Sequence, residues 1–105
     1  MLHKPHRPRF VRLSEGHCRA LLGDGVQLES WMLISNGRYV ARQRVTMIGP
    51  RGRIDGVAVV GPPVQETEVS LAAQDEERLG LASDPSRGVL LVGPAGEAKV
   101  VVSPQ

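Results

Sequence analysis

The sequence holds few of the residues that staple small proteins together or stack against nucleic-acid bases. One cysteine, Cys18, occurs in 105 residues, so a single copy can form neither an internal disulfide nor a four-thiolate zinc site. Phe10, Trp31 and Tyr39 are the only aromatic residues, which excludes a row of aromatic platforms for single-stranded nucleic acid. A core must be built mainly from Val, Leu, Ile, Ala and Met, in one compact unit.

Long apolar runs are also missing. Runs such as residues 57–60 and 89–92 fall far short of the roughly 20 residues that cross a bilayer. The N-terminal residues are basic, but no apolar stretch of the kind found in secretory signals follows them. We therefore expect a soluble cytoplasmic protein with no membrane partner.

Charge is divided unevenly along the chain. Residues 1–53 carry a net charge of +7 and residues 54–105 a net charge of −5, which leaves +2 overall. A basic half suits phosphate-bearing ligands or nucleic acid. The arginines of one predicted strand and turn would form a nucleic-acid surface: Arg38, Arg42, Arg44, Arg51 and Arg53. The shortage of aromatic stacking partners argues against that interpretation.

Local signals divide the first half of the chain into an arm, a strand, a helix and a hairpin. Residues 1–8, with two prolines, are predicted to form an extended basic arm before a single β-barrel domain over residues 9–105. A strand at residues 9–13 leads into a short helix that Ser14 caps and Gly23 ends. Asn36-Gly37 predicts a tight hairpin between strands at residues 26–35 and 38–48.

The second half is predicted to consist mainly of further hairpins. Strands are expected at residues 53–60 and 64–71, then a helix within residues 70–79 whose acidic face is solvated, a loop at residues 84–88 and a final hairpin at residues 89–102. VTMIGPRG at residues 45–52 is echoed by VLLVGPAG at residues 89–96. We predict a mainly β protein, a small antiparallel β-barrel with one or two short helices, since closing a sheet removes its exposed edges.

Four segments, in chain order, carry a family resemblance. The chain resembles the first barrel of the phosphate propanoyltransferases of propanediol-utilising bacterial microcompartments. That family has a His-x-His-Leu-Ser strand, an aromatic-Ala-x-Glu-x-Val-Thr strand, a Gly-Pro-Lys-Gly turn and a Gly-Pro-x-Arg-x-x-Thr-Gln-Val segment. The corresponding segments here are FVRLS at residues 10–14, YVARQRVT at 39–46, GPRG at 49–52 and GPPVQETEV at 61–69.

The resemblance implies two-barrel enzymes that transfer an acyl group between coenzyme A and inorganic phosphate, with two zinc ions between the barrels. Phe10 and Arg12 stand at the positions of the two metal-binding histidines, Arg42 or Gln43 at the acidic position, and Val64 at the phosphate-facing arginine. Phenylalanine cannot ligate a metal, and a guanidinium repels one. We therefore expect no zinc, no other cofactor and no catalytic residue.

Arg12 suggests a different use of the same position. Its fixed charge could take the place of the cation and hold inorganic phosphate or the pyrophosphate of coenzyme A as a ligand. Gln43 and Thr67, predicted to face inward on neighbouring strands, could add neutral hydrogen bonds to that ligand. The alternative is that Arg12 extends to solvent and that Gln43 is a satisfied buried amide.

The histidines have simpler interpretations than a metal site or a nucleophile. His3, His6, His17 and Cys18 could be imagined as a zinc set, but no strand or helix fixes the two arm histidines together. Ser14 beside His17 is better explained as a helix cap than as a nucleophile with its base, because no third group orients the imidazole.

The leading hypothesis is a metal-free, single-barrel relative of the phosphate acyltransferases that acts as a degenerate binding or assembly module. It would work in the cytoplasm or in a bacterial microcompartment, as a homodimer or attached to a microcompartment protein. The first alternative is an active acyltransferase completed by dimerisation. The second is a small basic barrel that binds nucleic acid.

Overall fold

The computed structural model describes residues 9–81 and 86–102. Within them lie seven strands and two helices: β1 (Phe10–Arg12), α1 (Glu15–Leu22), β2 (Ser30–Leu33), β3 (Tyr39–Ile48), β4 (Arg53–Gly61), β5 (Glu68–Ser70), α2 (Ala73–Leu79), β6 (Gly88–Gly93) and β7 (Gly96–Val101). The predicted arm at residues 1–8 lies outside the described residues, as does part of the loop predicted at residues 84–88. Neither described helix is long and apolar enough to cross a membrane.

The seven strands form one curled sheet in the order β5-β1-β4-β3-β6-β7, with β2 paired to β3. β2 and β6 lie along the same edge of β3, because Leu33 pairs with Tyr39 near its start and Val92 with Thr46 near its end. Residues 64–69 and Val101 line a common cleft, so the two ends of the sheet approach each other and form a half-barrel. The predicted mainly β fold with two short helices is confirmed.

One strand pair differs from the antiparallel prediction. β1 runs parallel to β4, with Phe10 opposite Ala58 and Val11 opposite Val59, whereas the other pairs are antiparallel. β1 enters α1 directly instead of turning back, so its partners come from distant parts of the chain. Parallel neighbours require a long connection, and α1, β2 and β3 provide it here.

Two predicted strands are longer than the strands in the structure. The strand expected at residues 26–35 is confined to β2, and the one expected at residues 64–71 to β5. Val64 makes only an isolated bridge with Ser14. The hairpin between β2 and β3 is confirmed: Asn36 has φ 56° and Gly37 φ 77°, the left-handed conformations that a type I′ turn requires.

The core fills the concave side of the sheet and is sealed by α1. Odd-numbered residues of β3 face it, and Ala41, Val45 and Met47 are buried. α1 contributes three buried side chains, Cys18, Leu21 and Leu22. Burying apolar surface at roughly 25 cal/mol per Å² is the main stabilising contribution in such a core.

The two Gly-Pro hairpin turns share a contact that explains their sequence echo. In the β3–β4 turn, the backbone N–H of Arg51 donates to the carbonyl of Leu79, the last residue of α2, at 3.0 Å. In the β6–β7 turn, the N–H of Ala95 donates to the carbonyl of Leu21, near the end of α1, at 2.9 Å. Each turn thus satisfies a carbonyl at a helix C-terminus, where the last four have no partner within the helix.

The first glycine of each turn permits this close approach. A Cβ at Gly49 would lie 2.4 Å from the carbonyl oxygen of Leu79, and one at Gly93 would lie 2.3 Å from that of Leu21. Both distances are far below a van der Waals contact, so a larger residue would force turn and helix apart.

The acidic stretch of α2 is less solvated than predicted. Asp75 is only 6% exposed, and its carboxylate accepts hydrogen bonds from Arg9 Nη2 at 2.8 Å and from the backbone N–H of Ala72 at 3.3 Å. Glu76 accepts a hydrogen bond from Arg87 at 2.7 Å. Of the three acids only Glu77 is exposed. The prediction failed because the pairing arginines come from distant segments.

Candidate functional site

The convex face of the sheet carries the two positions that the family resemblance assigns to metal-binding histidines. Successive residues of a strand point to opposite faces. In β1 and just after it, Val11 and Leu13 are fully buried in the core, so Phe10 and Arg12 lie on the convex side. Val40 of β3 and Val60 of β4, which pair with each other, extend this face toward β2.

A groove of about 420 Å³ crosses that face, and we call it the outer groove. Its walls come from four neighbouring strands and the turn between two of them. Its lining residues are Arg9, Phe10, Met32, Ile34, Ser35, Asn36, Arg38, Val40, Ala58 and Val60. Most of the lining is apolar, two arginines contribute to it, and no carboxylate does.

Arg12 follows Phe10 on the same face of β1. It is partly buried and lies opposite Glu68 of β5. Within the described part of the chain, its Nε is enclosed and has no hydrogen-bond partner. A buried donor without an acceptor costs free energy, so Arg12 is held in place at the expense of one unsatisfied hydrogen bond.

Both polar ends of the Gln43 side chain are hydrogen-bonded to the backbone, which matches the alternative interpretation of a satisfied amide. Its Oε1 accepts the backbone N–H of Glu29 at 3.0 Å, and its Nε2 donates to the carbonyl of Gln27 at 2.8 Å. The amide therefore ties the segment before β2 to β3. Gln43 and Thr67 are not on neighbouring strands as predicted, because β4 and β1 lie between β3 and β5.

Thr67 lies next to Arg12 in the fold but bonds to the start of α1. Its Oγ1 accepts the backbone N–H of Ser14 at 2.9 Å and meets Nδ1 of His17 at 2.5 Å. The hydroxyl of Ser14 accepts the backbone N–H of His17 at 3.2 Å, which confirms the predicted cap. The imidazole thus bonds to Thr67. A nucleophilic Ser14 would instead need its hydroxyl to bond to the imidazole that acts as its base.

The residues at the family's metal positions do not fit zinc. Among the described residues, no three His, Cys, Asp or Glu side chains lie close enough to share a metal ion. Phe10 offers no lone pair and Arg12 brings a positive charge. Of the imagined zinc set, His3 and His6 lie outside the described residues, while burial raises the pKa of the Cys18 thiol and disfavours the thiolate that zinc binds.

The five arginines of the candidate nucleic-acid surface are only partly available. Arg44 donates to the carbonyl of Gly56 at 2.9 Å, and Arg53 pairs with Asp55 at 2.7 Å. The Arg51 side chain lies against Gly80. Arg38 and Arg42 are exposed, with no carboxylate partner in the described part of the chain.

The sequence analysis missed the most exposed apolar segment of the molecule. Trp31, Met32, Leu33 and Ile34 are each at least half exposed, and Leu33 reaches 77%. Met32 and Ile34 line the outer groove. The available signal was four consecutive apolar residues with no polar alternation, which does not fit a strand with one solvated face.

The family profile and the similar proteins that match this chain all carry the same description. The profile described as phosphate propanoyltransferase matches residues 7–102. The chain is 34% identical to the phosphate propanoyltransferase of Thermotoga maritima, over 84% of this chain and 46% of that protein. The Planctopirus limnophila protein is 43% identical over 84% of this chain and 40% of that protein. The Rhodobacter capsulatus protein is 35% identical over 90% of this chain and 50% of that protein.

The predicted resemblance is therefore confirmed, and the match is to part of each relative. The chain spans about half the length of the curated relatives it matches. The profile covers all of the described residues, including β1, the β3–β4 hairpin and both Gly-Pro turns. By this match the chain belongs to the phosphate propanoyltransferase family.

Proposed function

We propose that this chain is a metal-free binding or assembly module of the phosphate propanoyltransferase family and does not transfer acyl groups by itself. The observation that carries the proposal is the composition of the convex face. Where the family resemblance places two histidine ligands, this chain has Phe10 in the wall of an apolar groove and Arg12 beside it.

The chemistry of acyl transfer supports the same conclusion. Zinc would polarise the acyl carbonyl or orient phosphate, and it needs neutral imidazole, thiolate or carboxylate ligands. Phe10 and Arg12 provide none of these. An exposed apolar groove is suited to contact with another protein, so the face is better adapted to binding than to catalysis.

A ligand for the module is suggested by Arg12. Its guanidinium brings a fixed positive charge to a position that the family resemblance assigns to a metal ligand, and it would pair with inorganic phosphate or the pyrophosphate of coenzyme A. Calorimetry with each compound, on the wild type and on Arg12→Ala, tests this. Equal heats of binding for the wild type and Arg12→Ala would show that Arg12 does not bind these compounds.

The second candidate is an acyltransferase completed by pairing of two copies. It is favoured by length, because the relatives are about twice as long as the stretch matched here. Against it, pairing cannot restore histidines that neither copy has at positions 10 and 12.

Metal analysis combined with an assay of acyl-phosphate formation from propanoyl-coenzyme A and phosphate separates the two candidates. The Thermotoga maritima relative is the positive control. We expect no zinc at stoichiometric level and no turnover for the wild type, and gain of zinc affinity in the Phe10→His, Arg12→His double variant. Stoichiometric zinc with turnover in the wild type would overturn the proposal of a metal-free module. Genes for shell proteins beside this gene would support a role in a microcompartment.

A further inference from the structure

We propose that the outer groove and β2 bind an acidic, amphipathic segment of a partner protein. The apolar side chains of that segment would enter the groove, and its carboxylates would pair with the arginines around it. The inference rests on the proposed binding or assembly function and adds the chemistry of the partner.

The apolar part of the surface is unusually open. Trp31, Met32, Leu33 and Ile34 are 53%, 50%, 77% and 51% exposed. Of these, Met32 and Ile34 line the groove, whose far wall is Phe10. Contiguous apolar patches of this kind on a folded protein mark interaction sites, because covering them releases roughly 25 cal/mol per Å².

β2 adds an unpaired backbone edge to the patch. Among the described strands it pairs only with β3. Residues 30–36 contain no lysine, proline or acidic residue, which are the usual means of blocking an edge. A bulge between Ser30 and Met32 twists the start of the strand, so Met32, Leu33 and Ile34 offer the more regular edge.

Several arginines lie around the patch, and Glu68 lies opposite one of them, Arg12. Arg9 and Arg38 line the groove, Arg42 lies beside Trp31 in a second shallow hollow, and Arg12 follows Phe10 on β1. Arg9 is paired with Asp75, but Arg38 and Arg42 have no carboxylate partner within residues 9–81 and 86–102. Carboxylates on an incoming segment would complement these guanidinium groups.

The same charge argues against a second copy of this chain as the occupant. Two outer grooves that met face to face would bring Arg38 and Arg42 of one copy toward the arginines of the other. Like charges that face each other across an interface are unfavourable. An acidic partner avoids that repulsion, and its carboxylates would attract the same arginines.

Trp31 gives a direct readout, since it is the single tryptophan of the chain and lies within the patch. The probes are a 14-residue amphipathic peptide of Leu and Glu and the same peptide with Lys for Glu. We expect the acidic peptide to shift the Trp31 emission to shorter wavelength with saturation, and its affinity to fall as salt is added. The basic peptide should produce no shift.

Three variants locate the interaction. Ile34→Ser should weaken binding of the acidic peptide by roughly tenfold or more, and Arg38→Glu should weaken it while improving binding of the basic peptide. Arg78→Glu, an exposed position on α2 outside the groove, is the matched control and should bind as the wild type does. Far-ultraviolet circular dichroism checks that each variant is folded.

Several results would overturn the inference. No shift with the acidic peptide, or equal shifts with both peptides, would exclude a charge-selective docking surface. An emission shift that depends on protein concentration without peptide, together with a doubled mass in light scattering, would assign the face to a second copy. These outcomes are independent of the zinc and turnover assay, so the surface and the proposed function can fail separately.

Discussion

His17 and Thr67 are joined through Nδ1 and Oγ1 at 2.5 Å, and the same Oγ1 accepts the backbone N–H of Ser14 at 2.9 Å. One hydroxyl thereby connects the first turn of α1 to the segment that precedes β5. These two parts of the chain are about fifty residues apart in sequence, so the contact closes a large part of the fold.

Removing that hydroxyl should destabilise the protein. Thr67→Val preserves the shape of the side chain but leaves the Ser14 N–H and the His17 ring without their partner, and we expect a loss of about 1–2 kcal/mol in the free energy of unfolding. Urea denaturation followed by circular dichroism measures it. Thr67→Ser keeps the hydroxyl and should retain most of the stability. Equal midpoints for Thr67→Val and the wild type would show that the bonds contribute nothing.

Asp75 should be the acidic residue of α2 on which stability depends. Asp75→Ala removes the partner of Arg9 and the acceptor for the N–H of Ala72, so we expect a loss of about 1–2 kcal/mol. Glu77→Ala, which changes an exposed residue of the same helix, is the control and should fall within about 0.5 kcal/mol of the wild type. The difference in thermal midpoint between the two variants tests the assignment, and a larger loss for Glu77→Ala would contradict it.

The turn glycines should tolerate no side chain. Gly93→Ala places a methyl group against the carbonyl oxygen of Leu21, and Gly49→Ala places one against that of Leu79. We expect each substitution to cost about 1–3 kcal/mol. Gly16→Ala, in α1 with no atom closer than 4.0 Å to the added Cβ, should instead stabilise by about 0.5–1 kcal/mol, because alanine favours helix over glycine. Three variants with the same stability would refute the close packing.

The Cys18 thiol should react slowly in the folded protein. Burial raises its pKa, and Glu15 adds to the effect, so little thiolate is present at pH 8 and access is restricted as well. Alkylation with iodoacetamide, followed by mass spectrometry, should be much slower than in urea-unfolded protein. Equal rates in the two states would mean that α1 does not protect the thiol.

Asp55 should make a small contribution that disappears in acid. A hydrogen bond from Arg53, then one from Thr46, lowers the pKa of its carboxyl group. A carboxylate whose pKa is lower in the folded state stabilises the protein above its unfolded pKa of about 3.9 and loses that effect as pH falls through the lowered value. The urea midpoint of Asp55→Asn should therefore fall less between pH 5 and pH 2 than the urea midpoint of the wild type. An identical decline would refute the linkage.

Local features of the fold were accessible from sequence because each depends on a few adjacent residues. The Ser14 cap, the Gly23 end of α1 and the Asn36-Gly37 turn follow from backbone preferences within one turn. The inner face of β3 follows from strand periodicity. All of these are present in the structure.

Features that join distant segments were not accessible in the same way. The parallel β1–β4 pair, the burial of Asp75 beside Arg9, and the separation of Gln43 from Thr67 depend on which strands become neighbours. Periodicity assigns a residue to a face but does not give the order of strands in the sheet. The outer groove was missed for a related reason: its walls come from four strands, and each contributes only one or two residues.

The docking of turns onto helices has a consequence for synthesis on the ribosome. The turn that satisfies the carbonyl of Leu21 in α1 contains Ala95 and is made more than seventy residues after Leu21. Until then the apolar side of α1 has no hairpin to cover it, and a nascent chain in that state exposes surface that other proteins can bind. The exposure of this side of α1 therefore lasts until the β6–β7 hairpin has been made.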